Sequence, residues 1–277
     1  MRRFARQFLT PSLLALLLAA PAAHAEKTPR AASHPIHGTA GLSLDSHLVS
    51  YGLDVWGAGN DRSSPNAGLL HPWVQATTQT GRLSFHAGSW LDINDNSTDS
   101  LTGKIQEFDI WAGYGVNFER LDVGMTLQRW RYANTQEVVL DTWMTFNDYG
   151  LLFKSLALKP GLKLHSQLAS AWYSKASALV ARIEPGRAIG KRKIRPIWLS
   201  TPVEFGFQQN GFKGGRGGHS FTSIGAQLYV PLVMLPKTAG DWSLNLGAVW
   251  YATNHDQIPG NRDARFTTAR VGLIYYF

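Results

Sequence analysis

The side chains here that could make or break bonds are nine histidines, a scatter of serines and a modest set of carboxylates. Acyl transfer needs a serine, a histidine and an orienting polar group brought together, and the strained Gly-x-Ser-x-Gly turn that often presents such a serine does not occur. Cysteine is absent, which excludes disulfides, thiolate metal sites and a cysteine nucleophile. The run DINDNSTDS alternates Asp92, Asn94 and Asn96 as oxygen donors. A calcium-binding loop of the EF-hand type would need Gly sixth and Glu twelfth, where this chain has Ser97 and Gly103. GGRGG is followed by neither a Lys-Ser/Thr pair nor a helix, so it is no phosphate cradle. Nothing points to a catalytic residue, a metal or a cofactor.

What remains is a set of charges that recur on one face of successive elements: Glu107, Asp109, Glu137 and Asp141, then Lys159, Lys163 and His165, with Arg82, His86 and Arg270 elsewhere. Charged groups around a narrow wet passage set the potential felt by ions and small polar solutes. The same groups could instead pair with one another and fill the space, since buried ions persist only when compensated. Both readings stay open at this stage.

The elements that carry these charges read as strands with period two. Residues 121–128 set Leu121, Val123, Met125 and Leu127 against Asp122, Gly124, Thr126 and Gln128, and 107–116 set Phe108, Ile110, Ala112, Tyr114 and Val116 against Glu107, Asp109, Trp111, Gly113 and Gly115. Twelve such runs are expected, near 46–56, 70–79, 82–92, 105–117, 119–132, 135–147, 151–168, 176–184, 196–208, 219–232, 241–253 and 265–277. Connections alternate between long polar segments, such as GAGNDRSSPNAG, QNGFKGGRGG and NHDQIPGNRD, and tight links such as Thr80-Gly81. Long outer loops, short inner turns and strands of roughly 9 to 13 residues are the habit of transmembrane barrels.

A soluble sandwich alternates too, but its polar face meets water and carries abundant charge. Only 17% of this chain is charged, and the polar face is rich in Gly, Ser, Gln and Trp, which suits a crowded interior. In hydrocarbon every unpaired backbone group costs several kcal/mol, so only a closed sheet or a helix can span. The fold expected is therefore all-β, a transmembrane antiparallel up-and-down barrel. Tyr51, Trp56, Trp90, Trp130, Tyr132, Trp242, Trp250, Tyr251 and Tyr275 are expected in aromatic girdles at headgroup depth.

The ends of the chain agree with export. MRRFARQFLTPSLLALLLAAPAAHA has the basic, apolar and small-residue regions of a signal peptide over residues 1–25. Losing Arg2, Arg3 and Arg6 lowers the formal charge from +8 to +5, which removes the main support for a nucleic-acid partner. Residues 26–45 are expected as a periplasmic segment and 46–277 as the barrel. The final strand, ARVGLIYYF, alternates Ala269, Val271, Leu273, Tyr275 and Phe277 and stops on an aromatic. That ending resembles the last strand of bacterial outer-membrane barrels, where Tyr275 and Phe277 would form the insertion signal read by the barrel-assembly machinery. Outer-membrane lipid, lipopolysaccharide and small hydrophilic solutes are the other partners expected.

Residues 105–146 carry a family resemblance. IQEFDIWAGYGVNFERLDVGMTLQRWRY followed by TQEVVLDTWMTF is similar to the TorF-type porins, matching at Glu107, Asp109, Ala112, Gly113 and Tyr114, at Leu121, Asp122, Val123 and Gly124, and at Glu137 and Val138. Met125 and Leu127 stand where that family more often has aromatics, and GFKGGRGG has no evident counterpart. The resemblance implies a small porin-like channel in the outer membrane and no particular substrate. The alternative is a barrel that conducts nothing and serves structure, assembly or surface interaction.

Overall fold

The computed structural model describes residues 36–56, 68–95, 100–153, 156–170, 175–189 and 196–277. The proposed signal peptide, most of GAGNDRSSPNAG, and Asn96 and Ser97 lie outside the described residues. The chain forms one antiparallel sheet that closes on itself. Its strands are β1 (Ile36–Asp45), β2 (Leu69–Thr80), β3 (Leu83–Ile93), β4 (Ile105–Phe118), β5 (Leu121–Arg131), β6 (Gln136–Phe146) and β7 (Gly161–Ala169). They continue with β8 (Ser177–Ile183, resumed at Gly186–Ile189), β9 (Ile197–Ser200, resumed at Val203–Gln208), β10 (Gly218–Pro231), β11 (Asp241–Thr253) and β12 (Arg265–Tyr276). Each strand pairs with its sequence neighbours, and β1 pairs with both β2 and β12. The result is a twelve-stranded up-and-down barrel with no free edge, the one arrangement that satisfies every strand in lipid without helices.

Proline accounts for the two interrupted strands. Pro185 and Pro202 have no N–H to give the ladder; they interrupt the β8–β9 pair between Ile183↔Val203 and Gly186↔Ser200, where the Thr201 N–H donates to the Pro185 carbonyl, while the Gly225 N–H of β10 donates to the Pro202 carbonyl.

The outward face is apolar along its length: Leu44, Phe85, Ile110, Leu127, Leu164, Phe205, Ile224 and Val271 all rank among the exposed large hydrophobics. A soluble monomer rarely exposes a continuous apolar surface beyond a few hundred Å², whereas a lipid-facing wall is made of one. The period-two alternation therefore sorts residues correctly between lipid and lumen.

Three expectations need correction. The first barrel strand is 36–45 rather than 46–56, so residues assigned to a periplasmic segment supply the strand that closes the cylinder. Residues 46–56 instead turn inward as a short hairpin, Val49–Ser50 against Leu53–Asp54, with Tyr51 and Gly52 in positive-φ conformations at its tip. β7 begins at Gly161, not 151: the β6–β7 link is held by Asp148, whose carboxylate accepts the Leu158 and Lys159 N–H groups, and Pro160 cannot donate to a ladder. Finally, of the expected girdle aromatics, Tyr51, Trp90, Trp130 and Tyr132 are buried inside the barrel, and Trp56 and Tyr251 pack against that interior cluster.

Candidate functional site: a plugged lumen

Lumen-facing glycines create the room that the interior needs. An added Cβ on Gly88 would meet the Trp111 ring at 2.4 Å, one on Gly124 the Trp143 ring at 2.5 Å, and one on Gly41 the Trp73 ring at 2.5 Å. Each of these indoles lies flat across a glycine of the adjacent strand. The glycine-rich polar face is thus a set of seats for large rings.

At the loop end the lumen is filled. Three connections fold inward: the hairpin after β1, the 209–217 loop between β9 and β10, and the 254–264 loop between β11 and β12. Leu48, Phe212 and Ile258, one from each, are at most 1% exposed and belong to one apolar cluster with Trp90, Trp130 and Val139 of the wall. Hydrogen bonds interlock them. Asn261 donates to the Gly52 carbonyl and accepts the Asp54 N–H, while Gln208 donates to the carbonyls of Phe212, Arg216 and Gln257. The Phe212 turn is built from left-handed residues, Gly211, Lys213 and Gly214, with φ of 88°, 49° and 76°. Glycine reaches that region freely, and Lys213 must be held there by what it touches.

The residues singled out from sequence divide into four groups. Glu107 and Asp109 of β4 and Glu137 of β6 come together, each at most 3% exposed. They form an acidic box whose neighbouring cation is Lys213 of the plug, not the lysines of the next strand. Burial pushes the Lys213 ammonium below the ordinary lysine range, opposed by attraction to Glu137 and Glu107. Asp141 joins His165, whose Nδ1 lies 2.7 Å from Asp141 Oδ1, and Gln128 donates to the other oxygen. The His165 ring is enclosed by Tyr51, Trp130 and Phe212 at centroid distances of 4.2, 5.3 and 5.7 Å. His86 stands deeper in the lumen, 3.0 Å from the Thr126 hydroxyl.

The second group borders the inward hairpin after β1. Hairpin and wall together enclose a cavity of about 140 Å³, whose wall lining includes Asp45, Lys163, Arg182, Glu204, Asn245 and Arg270. Lys163 holds its ammonium 4.8 Å from the centre of the Tyr51 ring. Arg270 is ion-paired with Asp45, and Asp45 also lies 2.8 Å from His71 Nδ1. The other nitrogen of His71 sits 3.2 Å from Asp92 Oδ1, so a chain of ionisable side chains crosses β12, β1, β2 and β3. Arg182 reaches Glu184 at 2.8 Å and Glu204 at 3.5 Å.

Two residues lie in connections and not on strands. Arg82 is exposed in the β2–β3 turn beside Gly81, beyond the end of the ladder. Lys159 lies in the β6–β7 link with φ 46°, its ammonium 5.5 Å from the centre of the Trp198 ring. The terminal pair makes the fourth group. Phe277 exchanges both backbone hydrogen bonds with Gly38, and Tyr275 stacks between Trp242 and Phe277 at 4.8 and 6.0 Å. The aromatic ending therefore seals the seam between the first and last strands.

Sequence reasoning missed Asp45, His71, Arg182, Glu204, Phe212 and Lys213. The first four were visible as lumen-parity charges on strands, although Asp45 fell before the expected barrel. Phe212 and Lys213 sit in a loop without period, and only long-range packing places them. In the described part of DINDNSTDS, Asp92, next to last in β3, accepts from the Trp56 indole N–H and from Asn94, and among the described residues no group of three or more His, Asp or Glu is placed to hold a metal. For acyl transfer, Ser46 Oγ lies 2.8 Å from His47 Nδ1, but Ser46 also accepts the Ala269 N–H. The far His47 nitrogen is 3.8 Å from Asp54, too long for an orienting hydrogen bond.

No family model matches the chain, and no curated protein matches it. Among solved structures it is similar to a bacterial polysaccharide outer membrane secretin, at 9% identity and TM-score 0.49, over 87% of this chain and 97% of that one. It is similar to the NanC porin at 9% identity and TM-score 0.48, over 87% and 98% of the two chains, and to the KdgM porin at 9% and 0.45, over 87% and 99%. Likeness at this level concerns the barrel alone.

Proposed function

We propose that this chain is a small outer-membrane porin that passes small hydrophilic solutes or ions, with the three-loop plug as its closed state. The observation that carries this reading is the polar cavity beside the plug. A barrel built only as a scaffold gains nothing from a hollow lined by Lys163, Arg182, Glu204, Asn245 and Arg270, whereas charges around a constricted passage set its selectivity. The signal peptide and the Tyr275–Phe277 ending supply the route: export, then recognition of the last strand by the barrel-assembly machinery, with the loop end outside among lipopolysaccharide. The finer placement among TorF-type porins rests on the motif residues of β4, β5 and β6.

A second reading, a barrel that conducts nothing, is favoured by one specific feature: Phe212, Trp130, His165 and Ile258 are all fully buried, so water reaches them from neither end. Planar-bilayer recording of the purified protein separates the two. Resolved current steps, rare at low voltage and more frequent as voltage rises, are expected of a porin with a displaceable plug. Silence at all voltages from protein verified as folded favours the second reading.

A further inference from the structure

The acidic box is an unusual object. Glu107, Asp109 and Glu137 are 2%, 3% and 0% exposed, with Asp109 and Glu137 facing Trp130 from the strands on either side of it, and buried carboxylates in a dry site cannot all be charged without a cation near them. The Glu107 and Asp109 side chains bond to each other, and Glu107 also to Tyr132, while among the described residues Glu107 Oε1 and Asp109 Oδ1 have no hydrogen-bond partner. Aromatic faces stand beside the box: the Lys213 ammonium lies 5.9 Å from the centre of the Trp130 ring and 5.8 Å from that of Phe212, within the range where a cation is attracted to a π face. Carboxylates together with aromatic faces are what recognises an organic ammonium group, which needs acceptors for its N–H bonds and an apolar wall for its carbon chain.

Lys213 approaches this box from a loop turn, at the cost of a left-handed backbone. Its four-carbon side chain is itself a primary alkylammonium.

We propose that the box of Glu107, Asp109 and Glu137 around Trp130 is a binding site for solutes carrying a primary ammonium group, occupied in the closed state by the protein's own Lys213. The inference rests on the porin reading for its physiological sense, since displacement of Lys213 by such a solute would also withdraw the plug. The site itself does not depend on conduction. Glu137 anchors it from the β6 side, where the Ser170 hydroxyl also donates to Glu137 Oε1 at 2.9 Å. Glu107 Oε1 and Asp109 Oδ1, without partners among the described residues, face it from β4.

The test is occupancy by a surrogate. Lys213→Ala removes a fragment equal to n-propylammonium, and Lys213→Gln serves as a second variant with a neutral side chain of similar reach. Each is refolded in detergent, checked by circular dichroism and heat-modifiable gel migration, and titrated with n-propylammonium and with n-propanol, following thermal unfolding and tryptophan fluorescence. The expected result is that propylammonium binds Lys213→Ala at least tenfold more tightly than wild type, that propanol does not, and that Glu137→Gln in the Lys213→Ala background abolishes the difference. Folded Lys213→Ala and Lys213→Gln proteins that bind propylammonium no better than propanol overturn the site. Current recordings judge the porin reading separately: binding without conductance would retire the channel and keep the site, and conductance indifferent to amines would do the reverse.

Discussion

Phe212→Ala is the sharpest probe of the plug. The ring is fully buried, 5.7 Å from Tyr51 and 5.7 Å from His165, edge-on to both, and no strand depends on it for pairing. Removing a buried phenylalanine ring costs about 3–5 kcal/mol through lost transfer energy and the cavity left behind. Here that loss falls on docking of the 209–217 loop rather than on the barrel, whose strands keep every ladder bond. At 1.4 kcal/mol per factor of ten, the undocked population should rise between about a hundredfold and a few thousandfold. Hydrogen exchange reads this directly. In the docked loop the Arg216 N–H donates to Asp256 and the Gly215 N–H to Phe212, so both amides should exchange faster by about that factor, while amides of the β4–β5 and β5–β6 ladders keep their rates. If loop exchange is unchanged, Phe212 does not hold the plug in place. If barrel amides accelerate equally, the plug and the wall unfold as one unit and the separation drawn between them fails.

Other consequences concern the wall. Gly88→Ala should destabilise the barrel by about 1–3 kcal/mol, because its Cβ would meet the Val74 carbonyl at 2.5 Å as well as the Trp111 ring. Gly247→Ala, whose nearest neighbour would lie at 3.7 Å, should be neutral within about 0.5 kcal/mol; denaturant unfolding in detergent compares the two. Arg270→Met should cost about 3–5 kcal/mol by leaving Asp45 buried without its main cation, and Asp45→Asn added to it should recover much of that loss, measured in the same assay.

The wall was readable from the chain because lipid imposes a strict rule: a residue one position out of register would point its side chain at hydrocarbon. Phe85, Ile110, Leu127 and Val271 obey it without exception, and the sequence alone sorted them. The first strand was misplaced because IHGTAGLSLD offers only two large apolar residues to lipid, Leu42 and Leu44, besides the exposed Ile36 at its start. The inward hairpin after it alternates just as well, since a hairpin packed inside a barrel also has one apolar face. Tyr51-Gly52, both at positive φ, mark the turn that distinguishes the two cases, but Tyr at such a position is not foreseeable from residue type. Likewise GFKGGRGG carries the glycines of a flexible loop. Those glycines serve a tight fold that delivers Phe212 and Lys213 into the lumen, and nothing local announces it. The acidic box was half legible: Glu107, Asp109 and Glu137 were assigned to the lumen by parity, while their cation came from a loop a hundred residues away in no pattern at all.

The central claim is that a lipid-facing cylinder encloses a passage closed only by inward-folded loops. The most direct test replaces residues 209–217 with Asn-Gly, a two-residue hairpin turn, and records single-channel currents from the folded variant beside wild type in planar bilayers. Frequent, long-lived current steps from the variant at voltages where wild type is mostly closed are predicted. A folded variant as silent as wild type, with its barrel amides still protected, would contradict the account.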